Sequence, residues 1–276
     1  MQTERKQFYA PEEILAETKQ KVEQCLATGQ SINYISFVPD GEPTLDINLG
    51  REVEMLGGSG IRVAVLTNAS LLDRSEVWDD LAKADLVSLK VDAVSEHAWR
   101  RVNRPHGSLD LSSILEGICE FARTFRGEII SETMLIDGIN DKDDEIRNIA
   151  KFLAKIEPSK AYLAIPTRPP AEKWVHAPRE RTINQAYQVL SASLGTGRVE
   201  CLIGYEGNAF ASTGHVEEDL LSITSVHPMR REAVEHLLKH ANADWGVVER
   251  LIEERKLIEI QHEGHAFYMR RIPSRN

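Results

Sequence analysis

Residues 35–46 read ISFVPDGEPTLD. A β-rich apolar run ends at Val38, and Asp40, Gly41, Glu42, Pro43 and Thr44 follow at once, a knot that neither packs well nor caps an obvious helix. Its surroundings set the fold. Similar runs recur at IRVAVL (61–66), LVSLKV (86–91), EIISETMLI (128–136), AYLAI (161–165) and VECLI (199–203). Between them lie the amphipathic segments INLGREVEML, RSEVWDDLAK, LSSILEGICEFARTF, DEIRNIAKFLAKI and INQAYQVLSASL. Alternating strand and helix predicts an α/β fold with a parallel sheet, and five or six such units point to a barrel-like sheet. Ahead of the knot, Pro11 opens a helix whose Ile14, Leu15, Thr18, Val22, Cys25 and Leu26 share one face, and Gly29 stands where it should stop.

At 276 residues the chain can bury a large core without staples. Its 43 acidic and 33 basic residues give a net charge of -10, which argues against a general nucleic-acid or membrane-surface binder. No stretch approaches the roughly 20 apolar residues that cross a bilayer, and MQTERKQFYAPEE has no apolar signal core, so the expected location is cytoplasmic. Cys25, Cys119 and Cys201 are far apart and odd in number; they form no disulfide framework or metal knuckle, and no metal site is expected from them.

The pattern changes near Thr224. MRREAVEHLLKH and DWGVVERLIEERK read as helices, with Asp244 as N-cap of the second, and LIEI, HEGH and AFYMRR as a hairpin, an order resembling a winged-helix module. The expected division is therefore 1–223 for the barrel and 224–276 for the module. Nucleic-acid binding is one reading of the module. Its charges are nearly balanced, and Glu249, Glu253 and Glu254 lie in the helix that would face phosphate, so a packing or partner-docking appendage is favoured.

In a parallel α/β barrel, binding groups gather where strands feed into the next helix. The polar residues lie there: Asp40 to Thr44, Thr67 to Ser70, Ser88 with Lys90 and Asp92, Glu132 and Thr133 leading to Asp137 to Asp141, and Thr167 to Pro170. Ser88, Lys90 and Asp92 alternate onto one face while Leu89 and Val91 take the other. An inward Lys and Asp are costly unless paired or used, so either a ligand site or a structural ion pair is implied. DGEP alone also reads as a stiff turn, Asn68 as an Asx turn, and DGINDKDDE as a helix start capped by Asp141.

GEPT closing one strand, TN closing the next, the SLKVD strand, the DGIND exit and the TRPP strand end together resemble the radical S-adenosylmethionine (radical SAM) superfamily, from about Thr3 to Arg270. More narrowly they resemble cytosolic members of unassigned substrate with a small C-terminal helical module. The resemblance implies a partial (β/α)6 TIM-like barrel. It implies also a [4Fe-4S] cluster on three cysteines, reductive cleavage of S-adenosylmethionine to a 5'-deoxyadenosyl radical, hydrogen abstraction from a substrate, and an external electron donor. By the same resemblance Gly41, Glu42, Pro43 and Thr44 would receive the cofactor's amino group, while Asn68, Ser88, Lys90 and Asp92 would hold its carboxylate and ribose.

Two departures stand out. Asp40 replaces the first glycine of the family's GGEP, and the C-x3-C-x2-C cluster motif is absent. The expectation is a truncated member lacking its first strand and cluster loop, with no catalytic residue assigned, no iron bound, poor expression, and an open sheet edge beside YISFV that invites aggregation or a partner chain. The alternatives are a cluster-free barrel binding S-adenosylmethionine or another small molecule, and a ligand-controlled nucleic-acid binder. Arg104, Pro105, His106 and Gly107, with Arg168 and Trp174, follow strands where barrels place specificity loops. Arg104 and Arg168 are candidate substrate residues, Arg168 as a carboxylate or phosphate clamp or as a surface arginine beside a rigid Pro-Pro turn. Gly204 to Asn208 could line the mouth or make an ordinary turn.

Overall fold

The computed structural model describes residues 2–38, 41–202, 213–226, 228–262 and 264–271. Asp40, Ile203 and the Gly204–Asn208 stretch lie outside them. The chain divides into two compact units, one built from 1–15, 33–167 and 172–204, the other from 16–32, 168–171 and 205–276.

The elements of the first part run α1 (Pro11–Ala27), β1 (Tyr34–Phe37), α2 (Leu49–Gly57), β2 (Arg62–Thr67), α3 (Ser75–Leu81), β3 (Leu86–Lys90), α4 (Glu96–Val102), α5 (Leu111–Thr124), β4 (Glu128–Met134), α6 (Asp143–Ile156), β5 (Lys160–Ala164), α7 (Glu180–Leu194) and β6 (Val199–Leu202). The six strands are parallel and lie in the order β1-β2-β3-β4-β5-β6, each beside its predecessor. That order is barrel-like: parallel crossovers are right-handed, so a chain that always steps the same way keeps its helices on one face, whereas a doubly wound sheet reverses and covers both. β1 forms one edge, as expected for YISFV.

Strand periodicity separates the two faces. Val63, Val65, Val87, Leu89, Ala161 and Leu163 are almost fully buried and join one core with Ile114, Ile118 and Phe121 of α5 and Ile146, Ile149 and Leu153 of α6. Each such Val, Leu or Ile is worth about 1.5–3 kcal/mol. Packing is close enough to require glycine at 117 in α5, where an added Cβ would stand 1.9 Å from the Leu72 carbonyl oxygen. Ser88, Lys90, Glu132 and Tyr162 alternate onto the opposite face.

The second unit contains α8 (Val216–Val226), β7 (Met229–Arg230), α9 (Arg231–His240), α10 (Gly246–Glu253), β8 (Leu257–His262) and β9 (His265–Arg270), with an antiparallel sheet ordered β7-β9-β8. Leu220, Val234, Leu237, Val248, Leu251 and Tyr268 form its core. Leu220 belongs to α8, which begins on the barrel side of residue 224 but packs with this module because its apolar face is completed there. Asp244 lies one residue before the N-cap of α10, Trp245, and its carboxylate accepts the Gly246 N–H at 2.8 Å. Among the described residues no helix is long and apolar enough to cross a membrane.

Candidate functional site

Glu42 ties two strand ends together. Its Oε1 accepts the Thr44 N–H (3.1 Å), the Thr44 hydroxyl (2.7 Å) and the Thr67 hydroxyl (2.6 Å), and its Oε2 accepts the Asn68 N–H (2.7 Å). Pro43 and Thr44 begin a buried 3-10 turn that Glu42 caps, and Gly41 is exposed just before it. Thr67 pairs across the sheet with the core residue Leu89, so the carboxylate is anchored on the helix-covered side. Burial raises the Glu42 pKa against these four donors. GEPT is therefore a fold-forming knot, its carboxylate spent on protein donors. Asn68 leaves the knot with its Oδ1 accepting the Ser70 N–H at 2.9 Å, the Asx-turn geometry.

The end of β3 differs. Lys90 Nζ donates to Glu132 Oε1 at 2.7 Å and stands 3.6 Å from Asp92 Oδ1. Asp92 is 2% exposed, but the Lys90 and Glu132 side chains keep 30% and 33% of their surface open. The ion pair foreseen as one alternative is real, and it is not sealed. Burial pulls the Lys90 ammonium pKa down, but the Asp92 and Glu132 carboxylates outweigh it and leave it above the ordinary value. Burial raises the Asp92 pKa against the pull of Lys90. Ser88 is buried two residues earlier on the same face. Thr67 pairs with Leu89, so Asn68 emerges beside Lys90 and the two strand ends meet at one mouth.

A ring of amides holds the acid in place. Asp92 Oδ1 accepts the Met134 N–H at 2.9 Å and Oδ2 accepts Asn103 Nδ2 at 3.0 Å. Asn140 is fully buried: its Oδ1 accepts the Ile136 N–H (2.7 Å) and its Nδ2 donates to the carbonyls of Asp92 (2.7 Å) and Met134 (2.8 Å). The DGIND turn that delivers it uses Gly138 at φ 68°, which glycine adopts freely. By itself the stretch also reads as a helix start capped by Asp141. Instead Lys142 occupies the N-cap of α6 without a side-chain bond, and Glu145 of its first turn reaches Val94 and Ser95 N–H groups at 2.8 and 3.0 Å.

Arg104 follows Asn103 and pairs with Glu172. Arg168 falls in the short stretch counted with the second unit. Cys25 on α1, Cys119 on α5 and Cys201 on β6 are free, and burial raises the pKa of each thiol, the reverse of what thiolate ligation needs. Among the described residues no three His, Cys, Asp or Glu side chains are grouped to hold a metal ion.

Residues 2–153 match the family model of the Radical SAM superfamily. The chain is 42% identical to a UPF0026 protein of Methanocaldococcus jannaschii over 99% of its own length and 84% of that relative. It is 32% identical to a UPF0026 protein of Helicobacter pylori strain J99 over 55% of its length, spanning 53% of that protein. Among solved structures, a radical SAM methyltransferase from Sphaerobacter thermophilus superposes with a TM-score of 0.54 at 19% identity, over 72% of this chain and 59% of that one, a likeness of fold.

Proposed function

The chain belongs to the radical SAM superfamily and to its UPF0026 group, and from that premise we propose that the mouth at the ends of β1–β4 binds S-adenosylmethionine. The chemistry that the family's [4Fe-4S] cluster would supply is the one electron that splits S-adenosylmethionine into methionine and a 5'-deoxyadenosyl radical. The carrying observation is the Lys90, Asp92 and Glu132 group, which offers one cation and two carboxylates at a partly open strand end. Lys90 suits the carboxylate of the methionine part and Glu132 the ammonium or ribose hydroxyls, while Asp92, buried behind them, holds Lys90 in place. Asn103 Oδ1 beside them is buried without a partner, an acceptor whose desolvation costs about 1–3 kcal/mol until a donor satisfies it. Gly41, Pro43, Thr44 and Asn68 shape the backbone that faces the ligand, with Glu42 holding that backbone rather than the ligand itself.

The residues present do not fit the cluster. Its three thiolates must lie together, and the cysteines here sit on two helices and a strand with raised pKa values. This chain by itself is read as an S-adenosylmethionine-binding barrel without cluster ligands, its substrate unassigned. Anaerobic incubation with ferrous iron and sulfide, followed by desalting, iron analysis and equilibrium dialysis against labelled S-adenosylmethionine, tests both halves. Cofactor retention without stoichiometric iron supports the reading. A cluster-loaded protein overturns the second half, and no cofactor binding overturns the first.

A further inference from the structure

The mouth has a cationic, aromatic rim that the cofactor reading does not use. Arg100, Arg101, Arg104, Glu172 and Trp174 line an open cavity of about 380 Å³, within the roughly 300–1,000 Å³ of small-ligand pockets. Arg101 stands over the Trp174 ring, 5.8 Å from its centroid, and pairs with no carboxylate among the described residues. Trp174 itself is 42% exposed. Arg100 pairs with Glu96 at 2.6 Å. Arg104 pairs with Glu172 through one terminal nitrogen, leaving other N–H donors of its guanidinium for a second acceptor. Three cations within five residues are unusual on a chain of net charge -10.

This rim is wired to the mouth. Asn103, next to Arg104, donates to Asp92 at 3.0 Å, and the Asp137 N–H at the exit of β4 donates to the His176 carbonyl at 2.9 Å, two residues from Trp174. A ligand on the rim would thus lie beside the Lys90, Asp92 and Glu132 group.

We propose that the rim holds a nucleoside monophosphate, its base stacked on Trp174 and its phosphate on Arg101 and Arg104. An exposed tryptophan offers a π face that any base can use, and an arginine fork matches phosphate. A polynucleotide is disfavoured because the chain's net charge of -10 opposes each added phosphate. Calling the nucleotide the substrate rests on the cofactor reading above; its binding does not.

The test titrates the whole chain with uridine 5'-monophosphate and guanosine 5'-monophosphate, with and without S-adenosylmethionine; adenine nucleotides are avoided because the cofactor carries adenine. Arg101→Ala should weaken both about tenfold or more, as loss of a charge-assisted phosphate contact does, and Trp174→Ala about fivefold or more, as loss of one stacked base does. Both sites are exposed, so circular dichroism and cofactor affinity should be unchanged. Absence of nucleotide binding up to millimolar concentration, or equal binding by wild type and both variants, overturns the inference while leaving the cofactor reading intact if that ligand still binds. Competition by inorganic phosphate with no effect of Trp174→Ala overturns the stacking. An oligouridylate binding ever more tightly with length while the mononucleotides do not bind overturns the inference in favour of a polymer. Nucleotide binding without cofactor binding removes the substrate assignment alone.

Discussion

Glu42, just past β1, and Glu132, on β4, are both carboxylates of one parallel sheet, yet they do opposite things. Glu42 is buried and accepts four hydrogen bonds, from Thr44, Thr67 and Asn68, so its carboxylate is committed to the fold. Glu132 shares one cation with Asp92 and keeps a third of its side chain in solvent. The difference shows that a polar residue at a strand end is not thereby a binding residue. Valence already filled by the fold builds the mouth, and valence left open can meet a ligand.

Breaking the closed side should have the largest effect. Glu42→Ala leaves two hydroxyls and two backbone N–H groups without their acceptor, and an expected loss of about 3–5 kcal/mol follows from stripping a buried charge-assisted network; urea denaturation measures it. Glu42→Gln should recover only part, because an amide oxygen accepts more weakly. Since Glu42 has a raised pKa in the fold, the folded state holds its proton longer than the unfolded chain. Its contribution is full below the unfolded carboxylate pKa and declines as pH rises through the folded one.

Breaking the open side should spare the fold and cost binding. Lys90→Met keeps the stem length and removes the cation, so S-adenosylmethionine affinity should fall about tenfold to a hundredfold, the worth of one charge-assisted contact, while thermal stability shifts by only a few degrees. A mid-denaturation point that collapses with the affinity would make Lys90 a structural member like Glu42.

A third carboxylate sharpens the contrast with the smallest effect. Glu52 on α2 is buried, its Oε1 has no partner, and burial, with the Asp46 carboxylate behind it, pushes its pKa up to about 7. The folded state therefore carries an extra proton between about 4.5 and 7, and stability is full at acid pH and falls as pH rises through that window. Glu52→Gln should gain about 1 kcal/mol above pH 7 and nothing below 5, allowing for solvent screening, read from denaturant curves at the two pH values.

The sheet was legible because each strand carries a short β-rich run and each core helix an apolar stripe. α4 was not, since its seven residues offer only Ala98 and Trp99 to the core; nor was β7, which is two residues long. α8 did carry a signal, three acids in its first turn before an apolar run. At the site, the Ser88, Lys90, Asp92 alternation was readable because strand period is local. What Glu42 binds was not, because Thr67 lies 25 residues away and only the register of β1 against β2 brings it near. Asn140 was hidden for the same reason: its partners, Asp92 and Met134, belong to two different strand ends.

The most direct measurement is an NMR titration of isotope-labelled protein with S-adenosylmethionine, following the Lys90 side-chain ammonium and the Asn103 side-chain amide beside the backbone amides of Thr44 and Asn68. The account predicts saturable shifts at Lys90 and Asn103, with the Thr44 and Asn68 amides, already bonded to Glu42, moving far less. Shifts confined to residues remote from β3 and β4, or saturation that leaves Lys90 unmoved, would contradict it.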